Sequence, residues 1–478
     1  MKIYEYFLKS LKKNPHEIFI ISEKKKYSFN YLNKIISDFE NNIFKGNFIT
    51  IINKNSIHHF ALYLLSSKLG KTLVTLNHES NLDIIIEQIK KFNLDNIFCS
   101  DQLKKKFNKK LNKNFINRNF NNQKFKKKQT KKKNEIFLLT FSSGSSNNPK
   151  PISISEHTKI DRAKSNIISF GIKKKNRIII STPLHHTLAI RLMTIGIIQE
   201  SKIIFMENYN LNNFVKLIRY YKCNFTFFIS NQLIEIVKNK IKPSNFKSLI
   251  CIVSSSASLP IDIKNKLVRI FSKNIYEMYG LSEAAVVSVL NIKKHMKHAD
   301  SVGRPVKNVK VRVNYFKNEK VGEIEIKSKY LFLGYYLKNK LKKINNKVFF
   351  KTGDIGFIKK GFIYFSGRKK NFVKINGVSI YLDDISSTLM NKKIVEDCAL
   401  TYIEDKKNIN PRICLVFESK KHDVNYIRNF CFKNLSLFQV PTYIFKLNKI
   451  PRNKMKKLNM IEIRKIINTK LNLKRVYE

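Results

Sequence analysis

The sequence predicts an α/β protein: a large N-terminal part of helix-covered sheets plus a small antiparallel sheet, followed by a small α+β C-terminal part. Three observations carry this. From Phe48 to Ser254, short β-branched runs alternate with helix-length segments, the pattern of a parallel sheet covered by helices. Beyond Gly303 the alternation gives way to short strands with frequent turns. After Gly367 a segment follows with helices and strands of its own.

In order along the chain, Phe48–Ile52 (FITII) reads as a short buried strand, Ile57–Leu69 as an amphipathic helix and Thr72–Leu76 as a second strand. Residues 103–133 are Lys/Asn-rich with little apolar periodicity, which predicts a solvated connection or weak helix, with a basic arm as the sharper alternative. Glu135–Thr140 (EIFLLT) is a strand that runs into a Ser/Gly-rich loop, and further strands are expected at Arg177–Ser181, Lys202–Met206, Phe225–Ile229 and Leu249–Ser254. The runs VKVRVNY (309–315) and GEIEIKS (322–328) predict the small antiparallel sheet. The expected division is residues 1–366 and 367–478, with no internal repeat.

With 478 residues and 43% hydrophobic content, the chain can bury a sizeable core in two or three domains. Its six cysteines, Cys99, Cys223, Cys251, Cys398, Cys414 and Cys431, never form a CxxC pair, which argues against a zinc site or disulfide scaffold. Buried thiols in a reducing compartment are expected. No run of eighteen apolar residues occurs, and the start MKIYEYFLKSLKKN lacks the apolar core of a secretory signal, so a cytoplasmic enzyme without integral membrane association is expected.

Ninety-two basic against 34 acidic residues give a net charge of +58. The abundant Lys, Asn, Ile, Phe and Tyr all have A/T-rich codons, whereas Gly (14), Pro (10) and Trp (0) are scarce. Mutational bias accounts for both facts, so no specific nucleic-acid partner is expected, although the excess charge should attract anionic small molecules.

The loop Ser142, Ser143, Gly144, Ser145, Ser146, Asn147, Asn148, Pro149, Lys150 follows a strand. Hydroxyls, a flexible backbone and a terminal lysine suit phosphate oxygens. It is not a Walker A loop, since GxxxxGK[ST] is absent. Other segments follow in order: Ser181-Thr182-Pro183-Leu184-His185-His186, Tyr279-Gly280-Leu281-Ser282-Glu283, Thr352-Gly353-Asp354, Gly367-Arg368 with Lys374 and Gly377, and Pro451 to Lys457 (PRNKMKK). Together with Tyr27–Leu32 (YSFNYL), this series resembles the AMP-forming acyl-CoA synthetase, adenylation-domain and luciferase superfamily, in its TSGTTGxPK, PLFH, YGxTE, TGD, GRxxxxIKxxG and PRTxxGK motifs. The resemblance covers nearly the whole chain.

That resemblance implies ATP-dependent activation of a carboxylic acid to an acyl-adenylate and pyrophosphate, then transfer to CoA. The alternative is a stand-alone adenylation enzyme that loads carrier-protein phosphopantetheine. By position, Ser142 to Lys150 would hold the β- and γ-phosphates, and Glu283 would bind Mg²⁺, which prefers hard oxygen ligands. Tyr279 would stack on adenine against Ser256 and Ala257, and Ser282 would bond the α-phosphate. Asp354 would accept both ribose hydroxyls, with Arg368 beside it. Lys457 would be the catalytic cation between carboxylate and α-phosphate. Lys370 stands at the family's hinge, about which a mobile C-terminal domain would turn to present Lys374 and Gly377 to the thioester-forming step.

The sequence also departs from the pattern. Asn147 replaces a loop glycine but tolerates left-handed conformations, Lys456 replaces the glycine before the catalytic lysine, Asn371 stands where an acid often follows the hinge, and Asp384 replaces a usual Glu. The stretch TPLHHTLAIRL holds no acidic residue to pair with an α-ammonium, which disfavours an amino-acid substrate. His186 would border the acyl pocket, where Ile190, Leu192 and Met193 would suit a fatty or aryl acid.

Overall fold

The computed structural model describes residues 1–23, 25–43, 46–109, 111, 115–116, 134–141, 151–369, 372–375, 378–404, 411–453 and 457–476. The largest sheet has seven strands, in the order Lys340–Lys343, Gly334–Leu337, Pro151–Ile154, Leu138–Phe141, Thr72–Thr75, Phe48–Ile52, Ile97–Cys99. The last four are mutually parallel, as the βα alternation predicts. The strand Pro151–Ile154 returns antiparallel to Leu138–Phe141, with Phe141 opposite Pro151.

A second sheet sets Ile18–Ile21 between Lys26–Ser28 and Lys202–Phe205, with Arg177–Ile180 beyond. A third runs Phe228–Ile229, Ile252–Ser255, Ile275–Leu281, Ala285–Asn291, Arg304–Pro305. Helices Ile57–Leu69 and Thr187–Ile198 lie in the main core with Phe60, Leu64, Leu192, Met193 and Ile203. The first was expected to be amphipathic, yet it is buried without interruption from His59 through Ser67, because helices and strands pack around it on several sides. The expected strand Phe225–Ile229 is reduced to Phe228–Ile229, with Phe225 making a single bridge to Ile178.

The small antiparallel sheet pairs Val309–Tyr315, Gly322–Ser328, Phe350–Lys359 and Phe362–Arg368. Antiparallel pairing is not confined to the chain beyond Gly303: Ile18–Ile21 pairs so with Lys26–Ser28, Leu138–Phe141 with Pro151–Ile154, and Ile275–Leu281 with Ala285–Asn291. The Lys/Asn-rich stretch begins as the helix Asp101–Asn108, and most of its remainder lies outside the described residues.

After residue 370 the described strands pair only among themselves. Phe372–Ile375 forms a hairpin with Val378–Tyr381, and Asp397–Ile403, Arg412–Glu418 and Tyr443–Lys446 make a three-stranded sheet. Helices Leu382–Asn391, Val424–Asn434 and Met460–Val476 accompany them, over separate cores. Polar contacts join this part to the small sheet and its turn: Tyr381 to Glu319 at 3.0 Å, and the Arg368 N–H to Asp383 at 3.2 Å. All six cysteines are free and buried, and no helix among the described residues is long and apolar enough to cross a membrane.

Candidate active site

Two glycines shape the turns that carry the polar residues. A Cβ on Gly280 would lie 1.9 Å from the Ala285 carbonyl oxygen, so the hairpin closes only with glycine there. Gly353 adopts φ +75°, which turns the chain immediately before Asp354. Asp354 is buried opposite Arg368 in the antiparallel register of Phe350–Lys359 and Phe362–Arg368. Its Oδ1 meets Arg368 Nε at 3.2 Å, and its Oδ2 accepts the Tyr279 hydroxyl at 2.5 Å. Burial raises the Asp354 pKa, and Arg368 and the Tyr279 hydroxyl oppose that rise. Three residues expected to surround a nucleoside, separated by up to 89 positions, thus share one hydrogen-bonded group.

Ser256 and Ala257 are exposed just after the strand Ile252–Ser255, and Ser256 takes φ +81°, a strained value for a residue with a side chain. The loop is tied down from both sides. Ser230 Oγ donates to the Ser255 carbonyl at 3.1 Å and also to that of Ala257, while the Leu259 N–H donates to Glu277 Oε1 at 2.6 Å. Glu277, two residues before Tyr279, is buried with Lys264, whose ammonium lies 2.5 Å away and also reaches the Ala299 carbonyl. Sequence reasoning missed this pair, because one lysine among so many carries no signal.

Glu283 is half-buried, and its Oε1 accepts the Tyr335 hydroxyl at 3.2 Å. The Ser282 and Glu283 carbonyls are both held by the buried guanidinium of Arg162. Arg162 was also not anticipated, since it belongs to none of the short motifs.

The PRNKMKK segment is anchored by Arg452, whose Nε and Nη2 grip Asp397 at 2.7 and 2.6 Å. The Lys457 N–H donates to Asn453 Oδ1 at 3.0 Å. Burial and the nearby Arg368 charge lower the Lys457 pKa, and Lys457 in turn helps lower that of His186. Lys457 therefore lies within electrostatic reach of both Arg368 and His186. The loop residues Ser142, Ser143, Gly144, Ser145, Ser146 and Lys150, the expected hinge residue Lys370 and Gly377 lie outside the described residues. Lys374 is placed by its backbone alone, in the strand Phe372–Ile375.

His186 belongs to a group of histidines at the start of the helix Thr187–Ile198. Its ring centroid is 4.2 Å from that of His185, which lies 6.2 Å from His78. Burial holds His59 at a pKa of about 3 and His186 at about 4, and pushes His185 well below its ordinary value. Among the described residues, no three His, Cys, Asp or Glu side chains are grouped to hold a metal ion. An unfolded histidine protonates near pH 6.5. Below that, the unfolded chain binds more protons than the folded one, so stability present above pH 6.5 is lost as the pH falls toward 4. The melting temperature should drop across that window, and His59→Asn should flatten part of the slope. An unchanged slope would assign the acid sensitivity to other groups.

Residues 7–336 match the family model described as AMP-binding enzyme. The chain is 22% identical over 421 residues to the 2-succinylbenzoate–CoA ligase of Lactococcus lactis, covering 87% of this chain and 90% of that protein. The solved o-succinylbenzoate CoA synthetase of Bacillus subtilis, in complex with its acyl-adenylate intermediate, superposes with a TM-score of 0.83 at 18% identity, covering 96% and 97% of the two chains. The same enzyme with ATP and magnesium ion gives 0.82 at 17%, covering 96% and 99%. The likeness in fold is close, and the family model spans well over half the sequence: this chain belongs to the AMP-binding enzyme family.

Proposed function

We propose that the chain is an AMP-forming carboxylate–CoA ligase of the cytoplasm. It activates a carboxylic acid, an aryl acid before a fatty acid, with ATP to an acyl-adenylate and pyrophosphate, and then passes the acyl group to the CoA thiol. The observation that carries this reading is the convergence of Tyr279, Asp354, Arg368, Lys457 and His186, drawn from five separate segments. The preference for an aryl acid rests on the 2-succinylbenzoate ligases among the relatives.

In this reading Tyr279 stacks on adenine against Ser256 and Ala257, while Asp354 and Arg368 bind the ribose. Ser282 bonds the α-phosphate, and the Ser142–Lys150 loop wraps the β- and γ-phosphates. Glu283 offers one hard carboxylate, which fits Mg²⁺ because that ion keeps several waters and takes its other ligands from phosphates. Bound there, it would neutralise the departing pyrophosphate. Lys457 offsets the repulsion between the attacking carboxylate and the α-phosphate. His186 stays neutral near pH 7, so it borders the acyl group without competing for the carboxylate. The division falls at residues 1–366 and 367–478, and the second part turns about Lys370 to bring Lys374 and Gly377 to the CoA thiol.

Pyrophosphate exchange over a panel of aryl and fatty acids, with and without CoA, tests the reading. Acid- and Mg²⁺-dependent exchange, with thioester formed when CoA is added, is the expected result. Exchange without thioester, and acyl transfer only to a carrier protein, would replace CoA as the acceptor. No exchange with any acid would remove the ligase reading.

A further inference from the structure

We propose that Arg162 and Tyr335 are positioning residues that together fix Glu283, and through it the affinity for the nucleotide's divalent cation; this rests on the function proposed above. Arg162 is 3% exposed, on the helix Glu156–Phe170. Its Nε donates to the Tyr330 carbonyl at 2.8 Å, its Nη1 to that of Ser282 at 3.1 Å, and its Nη2 to that of Glu283 at 2.7 Å. The Glu283 carbonyl also accepts the Phe332 N–H at 2.7 Å, and the Glu283 carboxylate accepts the Tyr335 hydroxyl. Backbone and side chain of Glu283 are thus held from separate directions, by the segment 330–335 and by one guanidinium. A lysine in place of Arg162 could not span three carbonyls, because its donors sit on a single atom.

The electrostatic setting makes a purely structural role costly. Lys159 and Arg191 are buried close by, and the Arg191 Nε has no hydrogen-bond partner among the described residues. Arg162 is itself buried, so its charge carries a desolvation cost. An apolar side chain would fill the same space without that penalty. The Arg162 fork instead meets the carbonyls that set the Glu283 backbone.

The test measures ATP binding to the full chain at equilibrium as a function of Mg²⁺ concentration, in wild type, Arg162→Lys, Tyr335→Phe and Lys159→Met, with melting temperatures alongside. The half-saturating Mg²⁺ concentration should rise about tenfold or more for Arg162→Lys, and by a smaller factor for Tyr335→Phe, as for other residues that orient a metal ligand. Lys159→Met removes a neighbouring charge but no hydrogen bond to Glu283, and should leave the Mg²⁺ dependence unchanged. The proposal falls if the folded Tyr335→Phe protein has wild-type Mg²⁺ dependence, a result that decides even if Arg162→Lys does not fold. It falls equally if Lys159→Met shifts the dependence as far as Arg162→Lys, since charge rather than placement would then be at work. Failure of the wild-type chain to bind ATP at any Mg²⁺ concentration would instead sink the proposed function.

Discussion

Replacing Lys457 by Ala should slow acyl-adenylate formation by about a hundred- to a thousandfold, the usual cost of removing one focused charge or donor from a transition state. The lowered pKa of Lys457 and its interaction with Arg368 and His186 put its charge beside the group that would hold the ribose. Conversion of a pre-formed acyl-adenylate and CoA to thioester should be nearly unaffected, because Lys457 would have swung away with the C-terminal part. Both half-reactions measured on one variant decide the matter. An equal fall in both would mean that Lys457 acts through docking or folding, and Lys454 or Lys456 would then become the candidates. No fall in either would remove the role assigned to the PRNKMKK segment.

The largest effect on stability is expected from Lys264→Ala. Lys264 and Glu277 are 1% and 3% exposed, and the substitution would leave a buried carboxylate with only backbone and hydroxyl donors. Burial already raises the Glu277 pKa, with Lys264 the main opposing influence. Breaking such a pair by removing one partner costs about 3–5 kcal/mol. Replacing both, as Lys264→Met with Glu277→Leu, should recover most of that loss, since no charge then remains buried. Urea unfolding of the single and double variants checks the prediction; equal stabilities of the two would show that the pair does not act as a unit. ATP affinity should fall in the single variant, because Glu277 ties the loop after Ser255 to the strand of Tyr279.

What could be read from the sequence was the part in which residue type determines local structure. The run FITII forms the strand Phe48–Ile52 with the expected bounds, and the glycines at 280 and 353 sit where close approach or a positive φ demands them. The Tyr279, Asp354 and Arg368 segments were legible as short ordered motifs, and the structure brings those side chains into contact. Tertiary surroundings determined the rest. The helix Ile57–Leu69 carries Ser, His and Tyr among its apolar residues, which looks amphipathic until neighbours on several sides bury it. The hairpin Gly334–Leu337 with Lys340–Lys343 lies in the region expected to add only to the small sheet, yet it extends the seven-stranded sheet through Pro151–Ile154. Arg162, Lys264 and Glu277 were illegible because their partners are backbone carbonyls or residues outside any short motif, and basic residues occur almost everywhere.

The strand Ile18–Ile21, four residues of Ile and Phe, has its parallel partner at Lys202–Phe205. A ribosome adding about 5–20 residues per second would need on the order of ten to forty seconds to deliver that partner. During that interval the first strand has at most its short antiparallel neighbour Lys26–Ser28, with its other edge uncovered. The order of synthesis therefore exposes an apolar edge early and covers it late, so nascent chains halted before residue 202 should be captured by holding chaperones and released once the second strand emerges.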